Sequence, residues 1–158
     1  MFNVINNFID NENFFKIQKI ITNNNFPWFI SDKDTLTFSH ILIDKIDDKV
    51  SINSDFFGFI TEDIIKKLQI QKINFCQLTL FARNKSNKEF SNNSDLQNVS
   101  LNKKAIFFLN TSNGYIETLE SRLEAQENRI LIYNIRTPFK LYTQTDTDYM
   151  VVLEIDYL

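Results

Sequence analysis

Two stretches in the first half of the chain carry apolar residues at helical spacing. Over 10–22, Phe14, Ile17 and Ile21 recur three and four apart, which stacks them on one helix face behind Asp10 as a candidate N-cap. Asn23, Asn24 and Asn25 end that helix. Over 55–69, Phe57, Ile60, Ile64 and Leu68 repeat the stripe after a capping Ser54, and Lys66 and Lys67 suit the negative end of the helix dipole. Between the two, Pro27 opens an extended segment from Trp28 to Ser31. The stretch 35–44 then alternates with period two: Leu36, Phe38, His40 and Leu42 on one face, Thr35, Thr37, Ser39 and Ile41 on the other.

Beyond residue 70 the chain changes character and turns to short apolar stretches separated by polar turns. Strands are read over 71–83 and near 104–110, 115–118, 129–134, 137–143 and 149–157, with a polar loop from Asn84 to about Asp95. Asn113-Gly114 reads as the turn of a hairpin between neighbouring strands, and Thr145-Asp146-Thr147-Asp148 as a second turn. No repeat or linker divides the chain, so 1–158 reads as one domain. Two helices followed by many short strands predict an α+β fold that is mainly β, a sandwich or jelly roll with both helices packed on one face.

Composition removes several classes of function. A net charge of −3, from 17 basic and 20 acidic residues that interleave as in Asp44-Lys45-Ile46-Asp47-Asp48-Lys49, gives no basic footprint for nucleic acid. The aromatic content is high, with 16 Phe, 5 Tyr and 1 Trp, but the rings do not alternate with Arg or Lys as a base-stacking surface would. No apolar run approaches the roughly 18 residues of a membrane span, and the polar start lacks a basic segment followed by an apolar one, so no secretion signal is expected. Synthesis in the cytoplasm is the expectation.

Chemistry-bearing residues are few. Cys76 is the only cysteine, so neither an internal disulfide nor a cysteine zinc site can form, and its apolar setting suits a small core residue. Two glycines leave no phosphate-cradling loop. His40 is the only histidine; placed between Phe38 and Leu42, it reads as a core residue with a satisfied ring nitrogen, and no nucleophile elbow accompanies it. Asp146, Asp148, Glu154 and Asp156 crowd the last two elements, but without the spacing or glycine of a calcium loop they read as turn acids. Glu154 and Asp156 share strand parity with Met150 and can line the same face.

Several segments, in order, resemble small Fe(II)/2-oxoglutarate oxygenase-like proteins common in marine phages. They are Phe26-Pro27-Trp28-Phe29, Phe38-Ser39-His40-Ile41-Leu42, the run Ala105 to Tyr115 (AIFFLNTSNGY), Glu127-Asn128-Arg129-Ile130-Leu131-Ile132-Tyr133, and Thr145-Asp146 with Val151 to Leu158. The resemblance spans nearly the whole chain and implies a double-stranded β-helix, a cupin-like jelly roll whose mouth holds the metal. It also implies scaffold roles for Trp28, His40, Asn110, Gly114, Tyr115, Arg129 and Tyr157.

The chain departs from that family where its chemistry lies. The family binds Fe(II) through an H-x-D motif and a distant histidine, a facial triad with open positions for oxygen and cosubstrate. The matching positions here are Asn93 and Asp95 for H-x-D and Phe139 for the distant histidine. Met150 stands where the family's arginine grips the far carboxylate of 2-oxoglutarate, and a thioether cannot make that bidentate contact. One ligand of three and no clamp would remain, so neither metal nor cofactor is expected.

Three readings follow. In the first, the chain is a non-catalytic jelly roll that binds protein, including virion proteins or copies of itself, as a structural or assembly component of a phage particle, with no nucleic-acid or membrane partner. In the second, it is a divergent Fe(II)/2-oxoglutarate hydroxylase using Asp95, an additional ligand, and Arg83 or Arg136 as a substitute clamp. In the third, it is a small-ligand module whose apolar pocket is lined by Phe139 and Met150.

Overall fold

The computed structural model describes residues 2–46, 49–91 and 103–158, leaving the side chain of Ile46 aside. Helix α1 (Asn11–Ile21) buries Phe14, Ile17 and Ile21, and α2 (Phe57–Leu68) buries Ile60, Thr61 and Ile64. Asp10 holds the N-cap position of α1 in extended backbone but makes no side-chain capping bond. Ser54 acts one step before α2, its Oγ accepting from the Phe56 amide at 3.2 Å. Gln69 ends α2 in the left-handed conformation (φ 54°), its backbone N–H turned back to Lys66.

The strands are β1 (Asn3–Ile5), β2 (Phe29–Asp32), β3 (Thr37–Ile46), β4 (Lys49–Ile52), β5 (Ile73–Ala82), β6 (Glu89–Ser91), β7 (Lys103–Phe108), β8 (Tyr115–Glu117), β9 (Arg122–Glu124), β10 (Arg129–Asn134), β11 (Lys140–Tyr142) and β12 (Tyr149–Tyr157). An eight-stranded antiparallel sheet runs β1-β10-β7-β12-β5-β3-β2, with β4 also on β3; a four-stranded one runs β6-β11-β8-β9. From β5 onward the chain shuttles between the two: β5, β7, β10 and β12 lie in the large sheet, β6, β8, β9 and β11 in the small one. That alternation winds the chain into a double-stranded β-helix, the jelly-roll architecture expected from the sequence.

The shuttling overturns the Asn113-Gly114 hairpin. β7 pairs with β10 and β12, while β8 pairs with β9 and β11, so the strands on either side of Gly114 belong to different sheets. Gly114 does not adopt positive φ. It is small because the sheets converge there: a Cβ would stand 2.5 Å from Met150 Sδ and 3.1 Å from the Tyr142 carbonyl. The tight reversal lies instead between β8 and β9, where the Thr118 amide donates to the Ser121 carbonyl at 2.8 Å. Thr145 to Asp148 likewise carries the chain from one sheet to the other; there Asp146 accepts from the Asn113 amide at 3.0 and 3.1 Å through its two oxygens.

The strand expected over 35–44 begins later. Leu36 is a left-handed turn residue (φ 50°) and half exposed, and a register shift between Ile41 and Ile43 lets Leu42 and Ile43 both turn inward. Phe38, His40 and Leu42 keep the common face that period two gave them; Leu36 falls outside the strand, and the bulge after Ile41 breaks alternation only at Ile43.

Two apolar cores occupy the two faces of the large sheet. Under the helices, Phe107, Leu78, Leu153 and Ile130 meet Phe14, Ile17, Ile60 and Ile64. Between the sheets, Phe108, Ile106, Leu131, Ile116, Leu141, Met150 and Val152 fill the barrel. β12 supplies both: Val151, Leu153, Ile155 and Tyr157 go to the helix side, Met150 and Val152 to the barrel.

Candidate functional site

The barrel interior is graded along β12. Met150, opposite Phe81 on β5, is fully buried against Gly114, and Val152, paired with Thr79 and Phe108, is also sealed. Two residues further, Glu154 pairs with Gln77 on β5 and Ile106 on β7, and next comes Asp156, paired with Phe75 and Lys104. Period two carries all four side chains to the same side, so one strand face passes from sealed apolar packing to acidic groups.

At the acidic end a cavity of about 300 Å³ opens, with Gln77, Thr79, Lys104, Tyr133 and Glu154 on the large-sheet wall. Thr37 and Ser31, from β3 and β2, extend that wall. Phe90, Phe139 and Leu141 come from the small-sheet side. The aromatic residues form a collar: Phe139 meets Tyr133 edge-on at 5.2 Å, Phe2 packs on both rings at 5.0 and 5.7 Å, and Phe81 lies 5.0 Å from Phe90.

Burial sets the electrostatics. The Glu154 carboxyl is raised above its usual range because ionisation is poorly solvated there, and Lys104 opposes the shift. Tyr133 is pushed up by burial and then by the negative Glu154 and Asp156, so its phenol stays protonated. Cys76, on the helix side of β5, is pushed up by burial and by Glu154; its thiol is no nucleophile.

The residues singled out in the sequence fall in different places. Phe139 stands just before β11 at the cavity, whereas Met150 is walled off, so the expected pocket lined by both does not form. Asn93 and Asp95 lie outside the described residues. His40 lies on the face of β3 opposite Thr37, against Phe26 and Phe56; Nδ1 is 2.7 Å from the Pro27 carbonyl and Nε2 is 2.7 Å from Ser54 Oγ. Neither arginine reaches the cavity. Arg83 donates to the Thr145 carbonyl at 3.0 Å and lies 3.9 Å from Asp148, and Arg136 is exposed.

The remaining named residues tie the scaffold. Trp28 Nε1 donates to the Ile21 carbonyl at 3.1 Å. Asn110 bridges β12, donating to the Tyr149 carbonyl at 2.9 Å and accepting from the Val151 amide at 2.8 Å. Tyr115 stacks on Tyr142 with Arg122 over its ring, and Tyr157 packs in the helix-side core. Arg129 donates to Asn6, Gln126 and the Glu124 carbonyl. Asn128, not weighed from the sequence, takes positive φ (57°) and clasps Ile9 through its amide, accepting at 3.0 Å and donating at 2.8 Å.

Iron held by two histidines and a carboxylate does not fit this chain. The only imidazole has both nitrogens engaged away from the barrel interior. Among the described residues, no three His, Cys, Asp or Glu side chains converge on a point where a metal ion would sit.

Gln77, Thr79, Lys104 and Tyr133 escaped the sequence reading as site residues. The signal was faint: Gln77 and Thr79 at period two in a β5 whose one other polar residue is Asn74, and a lysine whose cross-strand partner, Asp156, lies 52 positions away along the chain.

The fold is that of the 2-oxoglutarate-Fe(II) oxygenases. A prolyl hydroxylase from Trichoplax adhaerens, solved with a hypoxia-inducible-factor peptide fragment, superposes with a TM-score of 0.70 at 9% identity, over 99% of this chain and 83% of that one. A 2OG-Fe(II) oxygenase family oxidoreductase from Burkholderia pseudomallei gives 0.66 at 7%, over 99% and 83%. A prolyl-4-hydroxylase from Pseudomonas putida gives 0.61 at 8%, over 99% and 91%. No family model matches the sequence, and no curated protein matches it. At such identities the likeness is one of fold. Among the described residues, no helix is long and apolar enough to cross a membrane.

Proposed function

We propose that the chain is a non-catalytic jelly-roll module that keeps the oxygenase scaffold and works by binding protein. The observation that carries this reading is the placement of the single histidine, engaged by Pro27 and Ser54 rather than facing the barrel interior. Phe139 and Met150, where the resemblance puts a ligand and the cosubstrate clamp, add aromatic and apolar packing in their stead. A scaffold persists without its chemistry because fold and site are separable.

The surface for a partner is the β2 edge of the large sheet. Phe29 and Ile30 on this terminal strand are 62% and 60% exposed. An apolar edge strand with open backbone groups suits an added strand from another chain. The sequence resemblance to oxygenase-like proteins common in phages supports a partner in a phage particle or its assembly. The test is affinity capture with the full chain and with an F29K/I30K variant, alongside mass spectrometry of purified particles. A partner held by the original chain and lost from the variant is expected. The chain travelling alone in both experiments would sink the reading.

A further inference from the structure

Protein binding at the β2 edge leaves the barrel mouth unused, and the mouth is built like a receptor. Glu154 and Lys104 stand on neighbouring strands and line the same cavity of about 300 Å³. Lys104 acts on the Glu154 carboxyl through space, yet neither side chain makes a hydrogen bond or ion pair with another described side chain. Gln77, cross-strand from Glu154, donates its amide to Thr79 Oγ1 at 3.0 Å, which leaves its carbonyl oxygen as a second acceptor beside the carboxylate. Facing these polar groups are the rings of Phe90 and Phe139, and Phe81 lines the same wall as Gln77 and Thr79, two residues further along β5.

We propose that this mouth binds a free α-amino acid with an apolar side chain, as the zwitterion. Glu154 and the Gln77 carbonyl accept from the ammonium, Lys104 meets the carboxylate, and the phenylalanines hold the side chain. A lone amine would meet Lys104 and a lone acid would meet Glu154, each like-charged, whereas the zwitterion satisfies both. The cavity is at the small end of ligand pockets, about 300 Å³, which suits one amino acid rather than a peptide or nucleotide. The dicarboxylate 2-oxoglutarate is disfavoured by Glu154. An arriving ammonium favours ionised Glu154, so binding releases a proton from the fraction that was neutral.

The inference rests on the reading that no iron occupies the mouth, and it fails separately from that reading because its titration contains no metal. The experiment is calorimetry of the full chain with L-leucine and L-phenylalanine, and with 3-methylbutylamine and 4-methylpentanoate as the decarboxylated and deaminated controls for leucine. Each is repeated with E154Q and K104M, whose thermal melts report folding. Saturable amino-acid binding is expected, with both controls and both variants weaker by about 10-fold or more, the scale of one charge-assisted contact. A heat that varies with buffer ionisation enthalpy would mark the released proton. If neither amino acid saturates the original chain, the proposal is wrong. It is also wrong if the bare amine binds as tightly as leucine, or if a folded E154Q variant binds unchanged.

Discussion

The two faces of β12 were built under different rules. Toward the helices, Val151, Leu153, Ile155 and Tyr157 are all apolar or aromatic and all buried. Toward the barrel, Met150 and Val152 are sealed, but Glu154 and Asp156 are only partly covered. Past an exposed Tyr149 the helix side is a core from Val151 to Tyr157; the barrel side is a core for half its length and a polar wall for the rest. The same strand can do both because adjacent side chains never share a face. A structural element and a candidate receptor wall thus occupy one backbone, and substitutions one residue apart have different kinds of consequence.

The sharpest way to break the comparison is Leu153→Ala. Leu153 is fully buried among the helix-side residues, and the change leaves a cavity costing about 2–5 kcal/mol, read by urea denaturation. Gly114→Ala attacks the sealed half of the barrel by forcing Met150 Sδ and the Tyr142 carbonyl aside. Overpacking predicts a loss of about 1–3 kcal/mol, and pairing it with Met150→Ala should give less than the summed losses, since the two share one space.

His40→Leu probes the polar exception under the helices. It deprives the Pro27 carbonyl and Ser54 Oγ of their partner, an expected cost of about 1–3 kcal/mol. Small-ligand titrations at the mouth should not change.

Glu154→Gln has the smallest expected effect on stability and the most particular pH signature. The folded-state carboxyl is raised, so the folded protein holds the proton more tightly than the unfolded chain. Stability therefore falls as pH rises from the ordinary Glu value of 4.5 through the raised folded value, and protonation at lower pH restores it. Glutamine carries no such proton, so thermal melts of the variant should lose this part of the slope.

What the sequence made legible was whatever its local period encodes. The stripes Phe14, Ile17, Ile21 and Ile60, Ile64 lie on helices that bury them, and the long apolar stretches of β5 and β12 read as strands. Sheet membership was not legible, because Asn113-Gly114 advertises a local turn while the pairing that decides the fold is between β7 and β12, far apart in the chain. β6 and β9 are three residues long and mostly polar, and every residue of β4 is exposed, so none offered a hydrophobic period. At the mouth, Glu154 and Phe139 could be named from parity and ordered resemblance. Lys104, Gln77 and Thr79 could not, since only sheet register brings them together.

The central claim is that this oxygenase-shaped barrel does not hold the iron its architecture would otherwise accommodate. Calorimetric titration with Mn(II), an oxygen-inert stand-in for Fe(II), with and without 2-oxoglutarate, tests it most directly. The account predicts no saturable metal binding in either case. Micromolar Mn(II) binding that tightens when 2-oxoglutarate is present would contradict it, and would return the chain to the enzymes whose fold it shares.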